Sequence, residues 1–535
     1  MPGRVVSVAI LRVLIITPLR VHPRLRPNAS NAWVELGQNK SPSRFCLIVP
    51  AGSNLNCCEG SYPLNIKRRH INQFLVGSVA LGTPSTYLAT PLCVDDVSQL
   101  NSTPVAGILQ PKTSAEIAAY LAQSRGRISI GGERYSMGGQ IVAHGSTHID
   151  MRAFNRLVCL HTTPTATGVA CVRVQAGMRW RDLQRLIDPY DLSVAIMQSY
   201  CNFSIGGSVS VNCHGRYVGR GALIHSIRAL QLICADGAVL ELNRGQNADL
   251  FYAVIGGYGG LGVVSEVELD LAANSAIKRH ALGLSLHEYP EYFRALVLSD
   301  PKAVLHNADL MPPDFDAPIA ATWYETDAAL TESLRLIPEN QDYRSDQALI
   351  WAASELPLDA YVQEHRRAEL LNQKPVVLRN FEASLDARSL EPTTRYFSTY
   401  LLQEYFIPVA AFFDFHRALC KIIKRNAVNL LNISIRHAPS DTQSILNWAR
   451  SEVFSFVLYY KQRSSKAADL AAQNWTRALI DAALDLGGTY YLPYRLHASL
   501  EQFERAYPGV HQFKAIKARI DPNGRFGNAL WDRYL

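Results

Sequence analysis

The chain has 535 residues, 48% hydrophobic and 19% charged, enough to bury a large core in two or three domains of ordinary size. Its formal net charge of +7 is confined to residues 1–70, which hold ten basic and two acidic side chains; the rest carries 43 against 44, so no basic footprint for nucleic acid lies on the folded part. No apolar stretch reaches the roughly 18–20 residues of a spanning helix. The ten cysteines form no C-x-x-C pair and no Cys/His cluster at metal spacing, so no metal is expected and small buried hydrophobes are the simpler reading.

Residues 1–65 mix Pro, Asn, Ser and Arg without sustained periodicity and are expected to be a disordered extension. Over 66–93 a basic cluster (Lys67, Arg68, Arg69, His70) precedes an apolar run from Phe74 to Leu81 and then small residues. That is the order of an export signal, and the paired arginines loosely resemble a twin-arginine signal. An ordinary surface arm on a cytoplasmic protein gives the same residues, and both readings stand. An α/β pattern starts near Val94. Thr113 and Glu116 form a capping box for a helix with Ile117, Leu121 and Ala122 on its face, ended by Gly126. RISIGG and GVACVRVQAG read as strands and MRWRDLQRLID as a helix. SIRALQLICADGAVLEL reads as a hairpin closed at Asp236-Gly237. Further on, Val267, Leu269 and Leu271 alternate with Glu266, Glu268 and Asp270 as a half-buried strand. A first domain is expected over 94–275, a mixed second domain over 276–490 ending in an amphipathic helix stopped at Gly487-Gly488, and a returning tail over 491–535. The fold class expected is α+β.

Three glycine-rich segments stand out: Ile130-Gly131-Gly132-Glu133-Arg134-Tyr135-Ser136-Met137-Gly138-Gly139-Gln140, the run Gln198 to Arg216 containing SIGGSVSVNCHG, and Ile255 to Val264. Glycine lets backbone amides crowd a phosphate or a flat ring without a Cβ clash. A run of such amides makes an anion-binding concavity, to which Ser136, Ser199 and Ser204 can add hydroxyls. None is a G-x-G-x-x-G opening a βαβ unit or a G-x-x-x-x-G-K-[ST] loop, so the dinucleotide site they suggest is neither Rossmann nor P-loop.

The order G-G-x-x-x-S, then SIGGSVSVNCHG, then GGYGGLGVV, resembles the FAD domain of the vanillyl-alcohol-oxidase superfamily. The tail IDPNGRFGN, LLQEYFIP at 401–408 and GGTYYLPYR at 487–495 are similar to the same family, nearest to its sugar and aldonolactone oxidases and decaprenylphosphoryl-ribose oxidase. The resemblance covers Val94 to Leu535. It implies a PCMH-type FAD-binding domain of two subdomains plus an α+β cap that takes the substrate. It implies a pyrophosphate loop over Ile130–Gln140 and FAD contacts at Ser199, Ser204, Ile205, Gly206, Gly207, Val211, Asn212, Cys213, His214, Gly215, Val263 and Tyr491. Where covalent members place a histidine before the loop serine, this chain has Tyr135. A phenol cannot take that linkage, so non-covalent FAD is expected, with His214 the alternative attachment point.

The implied reaction oxidises a CH–OH group of a sugar, aldonolactone, alditol or related alcohol, with hydride passing to flavin N5 and electrons leaving to O2 or another acceptor. Candidate catalytic residues are Tyr491, Tyr494, Arg495 and Lys461, with Glu404 and His437 as further candidates. Relatives acting on prenylphosphoryl sugars carry a lysine where Tyr494 falls. Lys461 is also readable as a solvated strand residue and Arg495 as half of an ion pair. Two other functions fit the same motifs: a flavin-dependent C=C reductase, and a catalytically silent FAD-binding protein.

Overall fold

The computed structural model describes residues 91–163, 168–356 and 367–535. The extension expected over 1–65 and all but the last three residues of the signal-like 66–93 lie outside them. The first elements form an antiparallel ribbon, β1 (Cys93–Val94) with β2 (Thr103–Pro104). Three short parallel strands follow, β3 (Gly107–Leu109), β4 (Ile128–Gly131) and β5 (Thr147–Asp150), with β5 central. Helix Ser114–Gln123 links β3 to β4. The Glu116 amide donates to the Thr113 hydroxyl at 3.2 Å, and Ile117 and Leu121 are buried. The helix stops at Gln123, short of Gly126, because the backbone turns extended at Ser124, with φ −76° and ψ 151°.

A second, antiparallel sheet contains β6 (Leu157–His161), β7 (Cys171–Gln175), β8 (Leu192–Val194), β9 (Ile227–Ile233), β10 (Val239–Asn243) and β11 (Val263–Ala273). Its order is β10-β9-β11-β7-β6, with β8 extending the pairing along β11. The β9–β10 hairpin turns at Asp236-Gly237, where Gly237 takes φ +88°. In β11, Val267, Leu269 and Leu271 are buried, while Glu266 and Glu268 lean outward to Arg173 at 2.6 and 3.9 Å.

After Ala273 the chain enters the largest sheet. Its strands are β12 (Ala276–Gly283), β13 (Ala303–Leu310), β14 (Ile319–Glu325), β15 (Val376–Leu378), β16 (Ser398–Pro408), β17 (Leu430–Ala438), β18 (Val453–Arg463) and β19 (Thr489–Tyr490), ordered β15-β12-β14-β13-β17-β18-β16-β19. The long β16–β18 pairing sets Tyr400, Leu402 and Glu404 opposite Lys461, Tyr459 and Val457 on one face. The other face carries Tyr405, Phe454 and Phe456, which pack against Phe412 and Phe415 of helix Phe412–Arg425. That covering leaves the first face free to wall a cavity.

Helix Lys466–Asp485 ends as the sequence predicts. Gly487 takes φ +76°, its amide donates to Leu484 O, and the Gly488 amide donates to Ala483 O, which turns the chain into β19. The last residues come back to the first domain. The Ile128 amide donates to Arg525 O, the Gly527 amide to Ile128 O, and the Trp531 indole N–H to Gly257 O at 3.2 Å. With sheets and helices in separate layers and antiparallel pairing dominant, the fold is α+β, as the sequence suggested.

Candidate cofactor and active site

The three glycine-rich loops converge. Leaving β4, the first turns at Arg134, which holds φ +63° with its guanidinium 3.2 Å from Asp150. The backbone amides of Glu133 to Ser136 find no acceptor among the described residues, which makes an open nest of N–H groups. In the second loop Ser204 caps helix Ile205–Ser210, its hydroxyl accepting from the Gly207 amide at 3.4 Å. Gly206 lies against β7's continuation, where an added Cβ would stand 2.9 Å from Ala176 O. In the third, a Cβ on Gly260 would come within 2.5 Å of the Trp531 indole, so this glycine serves docking of the C-terminal helix.

Two adjoining hollows open at these loops, the larger reaching across to β16–β18 and the smaller enclosed by the loops and their neighbours. The larger encloses about 1250 Å³, its mouth included, and the smaller about 610 Å³. Both are lined by Gly132, Ser136, Ile141, Ser204, Gly207 and Val211. To the larger, the structure also brings Glu133, Arg134, Tyr135, Met137, Ser199, His214, Tyr491 and Tyr494. Ile130 and Gly206 line the smaller. The remaining expected contacts stand one layer back and support the loops. A Cβ on Gly131 would strike the His148 ring at 2.7 Å, and one on Gly215 would strike Met197 O at 2.0 Å. The Gly138 amide donates to Gln140, whose side-chain amide donates to Leu492 O and Tyr494 O at 2.6 and 2.7 Å. Gly139, at φ +76°, donates to Asp96. Ile205 and Cys213 are buried in the core, and burial pushes the Cys213 thiol up. Asn212 donates to Asp441 and Ser444. Val263 is core, and its neighbour Val264 lines the smaller hollow instead.

These residues fit FAD. The Glu133–Ser136 amides and the buried Ser199 hydroxyl, without a partner among the described residues, are donors of the kind phosphate oxygens accept from. The bare Cα of Gly207 faces the hollow, and Tyr135, Phe203 and Tyr491 offer flat faces beside it.

On the sheet side, one acid dominates. Glu404 is 2% exposed; His214 Nε2 lies 2.6 Å from its Oε1, and the Tyr494 hydroxyl donates to its Oε2 at 3.2 Å. Burial alone raises a carboxyl pKa, but here the His214 contact and the Arg436 guanidinium outweigh it and hold Glu404 below the usual range. The Tyr491 and Tyr494 phenols are pushed well above 10 by burial and so stay protonated. Tyr491 also donates to Val211 O at 3.0 Å.

Other candidates are not brought together. Lys461 is paired with Glu355 at 2.7 Å and with Ser354, lies over the Tyr400 ring, and does not line either hollow. Arg495 spans Asn101 and Asp469, at 2.7 and 2.8 Å, outside the hollows. His437 pairs with Glu452 on the back of β17. Its neighbour Arg436, absent from the sequence-based expectation, lines the cavity, and its Nε has no partner among the described residues. Strand alternation puts one of two adjacent residues on the cavity face, and SIRH alone does not say which. Tyr200, Glu391, Arg395 and Tyr258 also line the hollows without having been foreseen.

Residues 105–243 match the family model described as FAD binding domain, and residues 347–534 the one described as D-arabinono-1,4-lactone oxidase. Alditol oxidase of Streptomyces sp. (strain IKD472 / FERM P-14339) is 29% identical over 175 residues, 32% of this chain and 40% of its own. Cytokinin dehydrogenase 2 of Arabidopsis thaliana is 24% identical over 182 residues, 33% and 35% of the two chains. Mitochondrial L-galactono-1,4-lactone dehydrogenase of the same plant is 30% identical over 126 residues, 24% and 21% of the two chains. The chain thus aligns with 40% or less of each relative's length. Loops, sheets and matches together define a protein with a PCMH-type FAD-binding domain. The two matched segments carry the FAD-binding and lactone-oxidase-type domains found in the vanillyl-alcohol-oxidase superfamily.

Proposed function

We propose that the protein binds FAD non-covalently and oxidises the CH–OH group of a small-molecule alcohol, in the manner its alditol and lactone relatives' names describe. The observation that carries this reading is the buried Glu404 carboxylate, held by His214 and Tyr494 on the sheet side of the cavity whose opposite wall is the glycine-rich loops. FAD supplies the acceptor for the hydride that leaves the carbinol carbon. The protein does the rest. Tyr494, protonated and in the cavity, takes the substrate's hydroxyl proton as it passes its own to Glu404, so the alcohol leaves as a carbonyl compound. Arg436, whose side chain lines the cavity, holds the substrate oxygen. The Glu133–Ser136 nest, Ser199 and the Ser204–Gly207 turn bind the pyrophosphate. Non-covalent attachment is supported by Tyr135 at the linking position and by His214 being committed to Glu404.

Glu404→Gln keeps the shape but removes the base, and its amide offers one acceptor oxygen where the carboxylate offers two. Its flavin content should match wild type, while anaerobic bleaching by alcohols slows about 10² to 10⁴-fold. Bleaching at the wild-type rate would remove Glu404 from the chemistry.

A further inference from the structure

We infer that the substrate is an alcohol with one reacting hydroxyl on a hydrocarbon body, not a polyol or a sugar lactone. This narrowing rests on the CH–OH reading above. A polyol buried against protein needs a partner for nearly every hydroxyl, because an unmet one forfeits its water hydrogen bonds. The sheet wall supplies few. Along β16, Tyr400, Leu402 and Glu404 face the cavity over four strand steps, about 13 Å at roughly 3.3 Å per residue. Val457 and Tyr459 of β18 and Leu390 complete the wall.

The phenols on it are spent elsewhere. The Tyr459 hydroxyl donates to Leu390 O at 2.6 Å, and the Tyr400 hydroxyl bonds Ser354 Oγ at 3.1 Å. Both therefore present rings, not hydroxyls, to whatever lies beside them. Polar groups remain at the two ends. At one stand Glu404, Tyr494 and Arg436; at the other stands Arg395, itself bonded to Thr399 and to Tyr400 O, with Glu391 beside it. Between them run Leu402, Val457, Leu390 and the two rings. That spacing receives a hydroxyl at the Glu404 end and a hydrocarbon body along the middle.

The test uses the purified yellow holoprotein and anaerobic flavin bleaching with two panels of equal concentration: cyclohexylmethanol, 1-hexanol and benzyl alcohol against xylitol, sorbitol and D-arabinono-1,4-lactone. The hydrocarbon alcohols should reduce the flavin with at least tenfold greater efficiency, and Leu402→Asn should shrink that ratio at least fivefold. Equal or better reduction by the polyols or the lactone overturns the inference and leaves the CH–OH reading standing, as does an unchanged ratio in a folded, yellow Leu402→Asn. If dithionite bleaches the flavin but no member of either panel does, both are overturned.

Discussion

Gly207 has to be bare for a reason the sequence alone could only suggest. Its Cα faces both hollows, and even a Cβ would stand 2.9 Å from the Ser204 hydroxyl that caps the following helix. Gly207→Leu should therefore fold, by circular dichroism, yet purify nearly colourless, with FAD affinity reduced at least tenfold, about 1.4 kcal/mol. Gly107→Leu, where an added Cβ meets nothing within 4 Å, should stay yellow. Full flavin occupancy in a folded Gly207→Leu would move the cofactor away from these loops. Glu404 makes a second residue-scale prediction. Because its pKa is depressed, the carboxylate persists as pH falls below the ordinary glutamate value near 4.5. Flavin reduction by alcohol should hold its rate down to about pH 5 with no acid limb at 6–7, measured by stopped-flow absorbance. An acid limb near neutrality that disappears in Glu404→Gln would contradict the assignment.

Single elements explain what could and could not be read. The glycine-rich loop over Ile130–Gln140 was legible because close backbone approach demands glycine, and glycine leaves a mark in sequence. Strand β16 was not, since LLQEYFIP is apolar on both faces: Tyr405 packs under the helix at Phe415, while Phe406, on the same side as Leu402, packs against His214, Trp448 and Tyr491, so no period-2 pattern shows which side is which. The same ambiguity chose His437 over Arg436, and gave Lys461 a role that its pairing with Glu355 removes. Strand β13 carries a prediction of its own. His306 is buried between Thr322 and Tyr289, and burial, aided by His437, lowers its pKa to about 3. A histidine held neutral in the fold but basic near 6.5 when unfolded stabilises fully above that value and loses its contribution as pH falls toward 3. The melting temperature should therefore drop from pH 7 to pH 4, and His306→Gln should show a shallower drop by scanning calorimetry. Parallel slopes would assign the acid sensitivity to other groups.

At the scale of the molecule, function comes from bringing two walls together. The PCMH-type domain contributes the loops, and the large sheet contributes Glu404, Arg436 and the hydrocarbon face. Gln140 ties them, since its side chain grips the carbonyls of Leu492 and Tyr494 from across the cleft. No described helix is long and apolar enough to cross a membrane. The sequence exposed the first wall through its motifs and left the second to the structure, because a sheet face is assembled from strands far apart in the chain. The central claim is that this cleft holds dissociable FAD. It is tested most directly by the visible spectrum of the purified protein before and after acid precipitation. A flavin spectrum that moves entirely into the supernatant is the predicted result. Colour retained in the pellet would place a covalent bond where none is expected, and a protein colourless from the start, which FAD does not restore, would contradict the account.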